Sequence, residues 1–381
     1  MATCARQRSS EAALAAALLA LAAGGARAGQ APAPKQAWSM PRTPDGHPDL
    51  QGSWSNATIT PLERPDSLLN LPGAYGIAFG KARKAGADAS AKPEPVGAVL
   101  TAEQVKIVER TVAERNASLG EPSDPNRPAP PQGGDGSTGA AGNVGGYNSF
   151  WLDPGERVAV VNGELRSSLV VDPPSGKIPP LTPEAKQRLE RAAASTGQGE
   201  YDHPELRPLS ERCLLSFGSN AGPPMLPNYF YNNNYRIAQT KDHVMILVEM
   251  VHDVRVVRMG GEHLPAQVRP WMGDSIGRWE GDTLVVETTN FPAKQWFGAA
   301  SENRRVIERF TRVDAGTILY RFTIEDPTTY TASWSGELPF RATTDQIYEY
   351  ACHEGNYALA NVLSGARAQE REAASGSGEK R

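Results

Sequence analysis

The second half of the chain alternates apolar and polar residues with a period of two, which is typical of strands with one buried face. Segment 317–325 is the clearest case, since Ile318, Tyr320, Phe322 and Ile324 fall on one face. Gly- and Asp-containing turn signals separate most of these segments. The predicted strands are Tyr235–Thr240, His243–Val251, Val254–Met259, Ile276–Trp279, Thr283–Thr289, Arg305–Val313, Thr317–Glu325, Thr331–Leu338 and Gln346–Tyr350.

Eight or nine short strands in succession predict an antiparallel meander, whose edges must be paired or covered. We therefore predict a mainly β fold in which the meander closes as a calycin- or lipocalin-like barrel, with a β-sandwich as the alternative. A hairpin with Asn162-Gly163 at its turn precedes these strands, because Asn-Gly suits a type I′ turn.

Two short helices are predicted in the first half. Thr101 and Gln104 form a capping box for a helix that ends near Asn116. Thr182 is the N-cap of a second helix, which ends near Ala194.

We predict that Trp54 anchors a short strand that begins the ordered part of the chain.

The chain divides into segments of different composition. The predicted organisation is a signal peptide (1–28), a Pro-rich leader (29–48), an irregular N-terminal region with one helix and a flexible Gly/Pro loop (49–149), a β-rich domain (150–365) and a disordered tail (366–381).

The N-terminus indicates export. Arg6 and Arg8 precede an Ala/Leu run over residues 12–23, and Ala26-Arg27-Ala28 fits a signal peptidase site. This run is shorter than the roughly 20 apolar residues of a membrane span, so no span is predicted. We expect an exported protein, in the periplasm first and in the medium as the alternative.

Charge and cysteine content add two expectations. The chain has 39 Lys and Arg against 43 Asp and Glu; removal of the signal peptide leaves 36 and 42, a net charge of −6. Such a chain without a basic patch gives no indication of nucleic-acid binding. Cys213 and Cys352 would remain after export, and we predict that they pair, with two buried thiols as the alternative.

No common catalytic motif or zinc spacing occurs, and no cofactor is predicted. Glu287, Glu308 and Glu325 each interrupt an apolar strand. Inward carboxylates on neighbouring strands would raise each other's pKa, or they would bind a hard metal ion. A metal ion is therefore one of the alternatives. The favoured alternative is that each pairs with a nearby arginine, such as Arg309, Arg312 or Arg321.

Two groups of polar residues are candidates for catalysis. The first lies within the apolar run 248–257, where His252 could shuttle a proton, Asp253 or Glu249 could orient it, and Arg255 could stabilise charge. Its alternative is a tight turn with the His252 and Asp253 side chains in water. The second group follows Cys352 and consists of His353 and Glu354, with a structural cluster beside the disulfide as its alternative.

Further residues are candidates for substrate binding, because aromatic and amide side chains can hold a phenolic or polyhydroxylated ligand. Their alternatives are aromatic residues that plug a barrel end and a loop that crosses the barrel base. The candidates are Tyr231 and Asn233 in segment 222–235, Trp271, Asp274 and Arg278 in segment 271–279, Glu308, and Tyr350.

Several strings resemble a group of secreted bacterial proteins of unassigned function. The resemblance covers roughly residues 150–367 and supports that domain extent, but it gives no catalytic residues to carry over. The strings are Pro223–Pro227, Tyr231–Tyr235, Trp271–Asp274, Arg278–Phe291, Glu325–Tyr330 and Tyr348–Tyr357.

These observations favour a secreted enzyme that uses acid–base side chains on a small apolar or phenolic compound, as a lyase, isomerase or hydrolase. The alternative is a non-catalytic periplasmic carrier of apolar small molecules, for which a closed barrel suffices. Either protein would have a small-molecule partner, and the oligomeric state is left open.

Overall fold

A closed β-barrel dominates the fold. The computed structural model describes residues 38–68, 96–119, 155–195, 199–215, 222–227, 232–295 and 297–378. Residues 40–381 form one unit, and 1–39 form another, of which only Trp38 and Ser39 are described. The strands are β1 Gly52–Ser55, β2 Val160–Val161, β3 Glu164–Leu165, β4 Val170–Asp172, β5 Asn234–Gln239, β6 His243–Val248, β7 Val254–Met259, β8 Asp274–Glu280, β9 Thr283–Thr289, β10 Arg305–Asp314, β11 Thr317–Glu325 and β12 Trp334–Ala342.

Nine strands, β1 and β5 to β12, form the barrel, and β1 closes it by pairing with both β5 and β12. The barrel prediction is therefore confirmed. The sheet departs from a meander at one place, because β7 and β8 are parallel and segment 260–273 crosses between them. β4 pairs with the first part of β12, at Ser335 and Gly336.

Side chains fill the barrel interior. Buried positions alternate along β5, β6, β7, β10 and β11, as the period of two predicts, whereas β12 is buried on both faces from Trp334 to Phe340. Tyr320 is fully buried, and its ring centroid lies 5.0–6.0 Å from those of three buried phenylalanines, Phe310, Phe322 and Phe340. The described inward residues have almost no exposed surface, so they pack closely against their neighbours. Small barrels are commonly filled in this way.

The N-terminal region takes part in the barrel, which corrects the expectation that the β-rich domain begins at residue 150. Trp54 of β1 is buried, and its indole Nε1 donates to the Leu50 carbonyl at 3.0 Å. His47 stacks on Trp279 with ring centroids 4.9 Å apart, so the end of the expected leader also packs on the barrel. The physical reason is that β12 and β5 need a strand between them to close the sheet.

In the described part of the chain, three α-helices accompany the barrel: α1 Ala102–Leu119, α2 Pro183–Ser195 and α3 Ala358–Gly378. The capping box is confirmed, since Thr101 N donates to Gln104 Oε1 at 2.9 Å and Gln104 N donates to Thr101 Oγ1 at 3.2 Å. Thr182 Oγ1 caps α2 by accepting from Ala185 N at 3.1 Å. The described helices include none that is both long and apolar enough to cross a membrane.

The C-terminal part differs from expectation in two places. Helix α3 occupies residues 358–378, so the predicted disordered tail is corrected over 366–378. Segment 346–350 is not a strand, and β12 extends to Ala342 instead. The expected signal peptide and the Gly/Pro loop lie outside the described residues.

Two local predictions are confirmed. The Asn162-Gly163 turn joins β2 to β3 with φ of 52° and 82°, as a type I′ turn requires. Cys213 and Cys352 form a disulfide with a Cα–Cα distance of 5.7 Å. Such bonds are typical of proteins in oxidising compartments.

Candidate functional site

A buried ion pair crosses the barrel interior and joins two residues that were separate candidates in the sequence. Arg255 of β7 donates from Nη1 to Glu308 Oε2 at 2.5 Å and from Nη2 to Glu308 Oε1 at 2.9 Å. The side chains are 1% and 0% exposed. Burial lowers the pKa of Arg255, but the attraction of Glu308 outweighs it and leaves the pKa raised. The guanidinium is thus held charged inside the barrel.

Tyrosine, asparagine and methionine complete this inner cluster. Tyr320 Oη donates to Glu308 Oε1 at 2.9 Å and accepts from the Met225 amide at 2.8 Å. Asn56 Nδ2 contacts the Met225 carbonyl and Tyr235 Oη, each at 3.2 Å. Segment 222–227 is buried and reaches the barrel interior through Met225, which fits the interpretation of a loop crossing the barrel base.

The other two strand carboxylates face outward. Arg305 binds Glu287 at 2.8 and 2.6 Å and Glu325 at 2.7 Å. Glu287 and Glu325 are therefore paired with arginine, as is Glu308. Among the described residues, no group of three or more His, Cys, Asp or Glu side chains is placed to hold a metal ion.

The turn between β6 and β7 carries the most unusual backbone in the barrel. Val251 and His252 have positive φ of 60° and 46°. This conformation is a genuine outlier for a β-branched residue, and strained residues of this kind cluster at functional sites. The His252 side chain is exposed, and no described group forms a hydrogen bond with its ring.

Asp253 follows this turn and differs from the other carboxylates near it. Its Oδ2 is buried and has no hydrogen-bond partner among the described residues. Burial raises the pKa of Asp253 to about 7. Glu249, by contrast, accepts from Asn234 Nδ2 at 2.9 Å and from the Tyr348 amide at 3.0 Å. The turn therefore does not bring Glu249, His252, Asp253 and Arg255 together as one hydrogen-bonded set.

The edge of β7 beside Asp253 is open. Two backbone bonds join β6 and β7 at odd-numbered residues of the β7 side, from Val248 N to Asp253 O and from Met259 N to Asp242 O. Because bonded positions alternate along an antiparallel pair, the N–H groups of Val254 and Val256 point away from β6. β8 pairs only with residues 257–259 of β7. Neither amide N–H has a partner among the described residues, and Val254 and Val256 are 46% and 51% exposed. Two backbone N–H donors without a described partner therefore lie next to the Asp253 carboxyl, whose pKa is raised.

Asp274 and Arg278 have structural partners. Asp274 accepts from Arg258 Nη2 at 2.9 Å, lies 2.8 Å from His263 Nδ1, and accepts from the Leu264 amide at 2.9 Å. Burial alone would raise the pKa of Asp274, but these hydrogen bonds lower it. Asp274 therefore fastens the 260–273 crossover to the barrel.

The other predicted binding residues are dispersed. Arg278 binds Glu280 at 2.7 Å on the outer face, and Trp271 is half exposed. Asn233 is buried, and Tyr350 packs against the barrel core. Tyr231 lies outside the described residues.

His353 and Glu354 lie by the disulfide and are exposed. His353 lines a surface cavity with Arg212 and Asn356, and no hydrogen bond or ion pair among the described residues joins it to His252 or Asp253. The two pairs of predicted catalytic residues are therefore not joined directly in the described part of the chain.

Sequence reasoning missed the tyrosine and amide members of the inner cluster and the open edge of β7. Tyr320 and Tyr235 occupied apolar strand positions, and Asn56 followed a four-residue strand. No sequence signal marks the open edge of β7, because that edge is open only where β8 does not pair with β7.

No protein-family model matches this chain, and no curated protein or solved structure matches it. Function is therefore inferred from the geometry of the site itself.

Proposed function

We propose that this protein is an exported enzyme that moves a proton on a small apolar or phenolic compound, with Asp253 as the acid or base. The observation that carries the proposal is the buried, unpartnered Oδ2 of Asp253 at the strained turn. An unpartnered buried carboxyl is costly for folding, and such groups are typical of sites that bind another molecule.

The pKa of Asp253, raised to about 7 by burial, supports this role. Proton transfer is most efficient when the pKa of the catalytic group is close to the working pH. At neutral pH a substantial fraction of Asp253 would be ionised and the rest protonated, so that one residue can accept or donate.

The open edge of β7 supplies hydrogen-bond donors, which an ionised carboxyl lacks. The amides of Val254 and Val256 could donate to a carbonyl or phenolic oxygen that gains negative charge as the proton leaves. Their exposed isopropyl groups, with the neighbouring exposed Met245, suit an apolar substrate.

The disulfide supports export into an oxidising compartment, and we propose the periplasm. The carrier alternative has less support, because the described inward residues of the barrel are almost fully buried against one another.

The test compares the wild type with Asp253→Asn on a panel of phenolic and terpenoid carbonyl compounds, with products followed by mass spectrometry. We expect the variant to lose about 10²–10⁴-fold in turnover, the usual worth of a general acid or base. Asp242→Asn, in the exposed turn at the far end of the same strand pair, is the control.

A second measurement does not need the substrate. Carbon NMR of the carboxyl group should show Asp253 titrating near pH 7. Titration near 4, or equal turnover by Asp253→Asn, would contradict the proposal.

A further inference from the structure

A surface cavity of about 240 Å³ lies beside the disulfide. Asp253, the residue to which proton transfer is assigned above, does not line it. Its wall combines the segment before and after Cys213 with the segment that leads from Cys352 into α3. The lining residues are Glu211, Arg212, Leu214, His353, Asn356 and Leu359.

The cavity contains a cation, Arg212, that pairs with no carboxylate among the described residues. Arg212 has one contact among the described residues, from Nη1 to the Glu205 carbonyl at 3.3 Å. Glu211 does not neutralise it, because Arg207 binds the Glu211 carboxylate at 2.9 and 2.8 Å. The cavity therefore offers a guanidinium that no described carboxylate neutralises.

Further donors and an apolar wall surround this cation. The His353 ring has no hydrogen-bond partner among the described residues. Asn356 Nδ2 makes only long contacts, 3.3 Å to Cys213 Sγ and 3.4 Å to the Glu211 carbonyl. Leu214 and Leu359 supply the apolar part of the wall.

The disulfide joins the two halves of this wall. Arg212 precedes Cys213 and His353 follows Cys352, and the bridge holds the cysteine Cα atoms 5.7 Å apart. The two polar side chains are thus held near each other before any ligand arrives, which lowers the entropic cost of binding.

We infer that this cavity binds a small carboxylate with a short apolar group. Arginine and histidine recognise the carboxylate, and the leucines contact the apolar group. The cavity volume is below the roughly 300 Å³ of sites for drug-sized ligands, so the ligand is small.

The experiment measures benzoate binding to the full chain by calorimetry and by NMR, with benzamide as an uncharged probe of similar shape. Arg212→Gln removes the free guanidinium. Arg371→Gln is the matched control, since it removes the same charge from an exposed position of α3 that lies about 18 Å along the helix from Leu359.

We expect saturable benzoate binding, at least about tenfold weaker binding by Arg212→Gln, and unchanged binding by Arg371→Gln. Benzamide should bind at least about tenfold more weakly than benzoate. The inference is overturned if the wild type shows no saturation up to about 10 mM benzoate. Equal losses in both variants, or equal affinity for benzamide, would also overturn it. Unchanged near-ultraviolet circular dichroism of Arg212→Gln excludes misfolding as the cause of a loss.

Discussion

Removal of one member of the buried ion pair should destabilise the barrel far more than removal of a surface ion pair. Glu308→Gln keeps the shape of the side chain but leaves the Arg255 guanidinium charged and 1% exposed, opposite a neutral amide. Breaking a buried pair from one side costs about 3–5 kcal/mol, because the remaining charge is buried without compensation. The Tyr320 hydroxyl loses its charged acceptor as well.

Urea unfolding measures this loss. With an m-value of about 3 kcal/mol/M, the midpoint for Glu308→Gln should fall by about 1–1.7 M. Glu280→Gln, in an exposed pair with Arg278 and Arg309, should move the midpoint much less. The double replacement Arg255→Met with Glu308→Leu removes both charges, and we expect it to recover most of the lost stability. A loss below about 1 kcal/mol for Glu308→Gln would refute the reasoning, because the pair would then behave as a solvated one.

Three further perturbations test other parts of the fold. Because burial raises the folded pKa of Asp253 to about 7, above an unfolded value near 4, its protonated form favours folding. That contribution, up to about 4 kcal/mol, is present below pH 4 and is lost as the pH rises through 7. Asp253→Asn should therefore lose less stability than the wild type between pH 5 and 8 in urea unfolding. Replacing Cys213 and Cys352 together by serine opens a bridge spanning 139 positions and should cost about 2–5 kcal/mol, measured by thermal unfolding. Gly336→Ala should cost about 1–3 kcal/mol, since its Cβ would lie 2.5 Å from Phe322 Cζ.

Each of these has a contradicting outcome. Parallel pH profiles for the wild type and Asp253→Asn would show that Asp253 titrates alike in both states. Equal melting temperatures with and without the disulfide would show that another contact holds residues 213 and 352 together. A stable Gly336→Ala barrel would show that Phe322 can move aside.

The barrel could be predicted from the sequence because its strands are long enough to show alternation. Segment 317–325 is a strand with the predicted bounds and the predicted buried face. β1 could not be assigned to the barrel in the same way, because four residues carry almost no periodic signal and its partners lie about 180 and 290 positions away. Helix α3 was missed because an Ala-, Glu- and Ser-rich segment has a composition typical of disorder.

The candidate site was predictable as a set of unusual residues but not as an arrangement. Arg255 and Glu308 each interrupted an apolar strand and were noted for that reason. Their pairing was not predictable, because β7 and β10 are separated by two strands in the sheet and meet only through the barrel interior. Glu308 pairs with Arg255 and not with Arg309, Arg312 or Arg321, the arginines named in the sequence-based prediction.

The contrast between Arg255 and Asp253 explains why the chemistry is assigned to the rim of the barrel. The two residues are two positions apart in an extended segment, and alternation places them on the same face. Glu308 accepts from both Nη atoms of Arg255 and from the Tyr320 hydroxyl, so the charge of Arg255 has a counter-charge within the fold. Asp253 is also partly buried, yet no described group donates to its Oδ2. A charge that serves only the fold is expected to have a partner, since an unpaired one costs stability. Asp253 lies at the end of the filled interior, beside two β7 amides that have no partner among the described residues. In the proposed function, the partner of this carboxyl is the substrate.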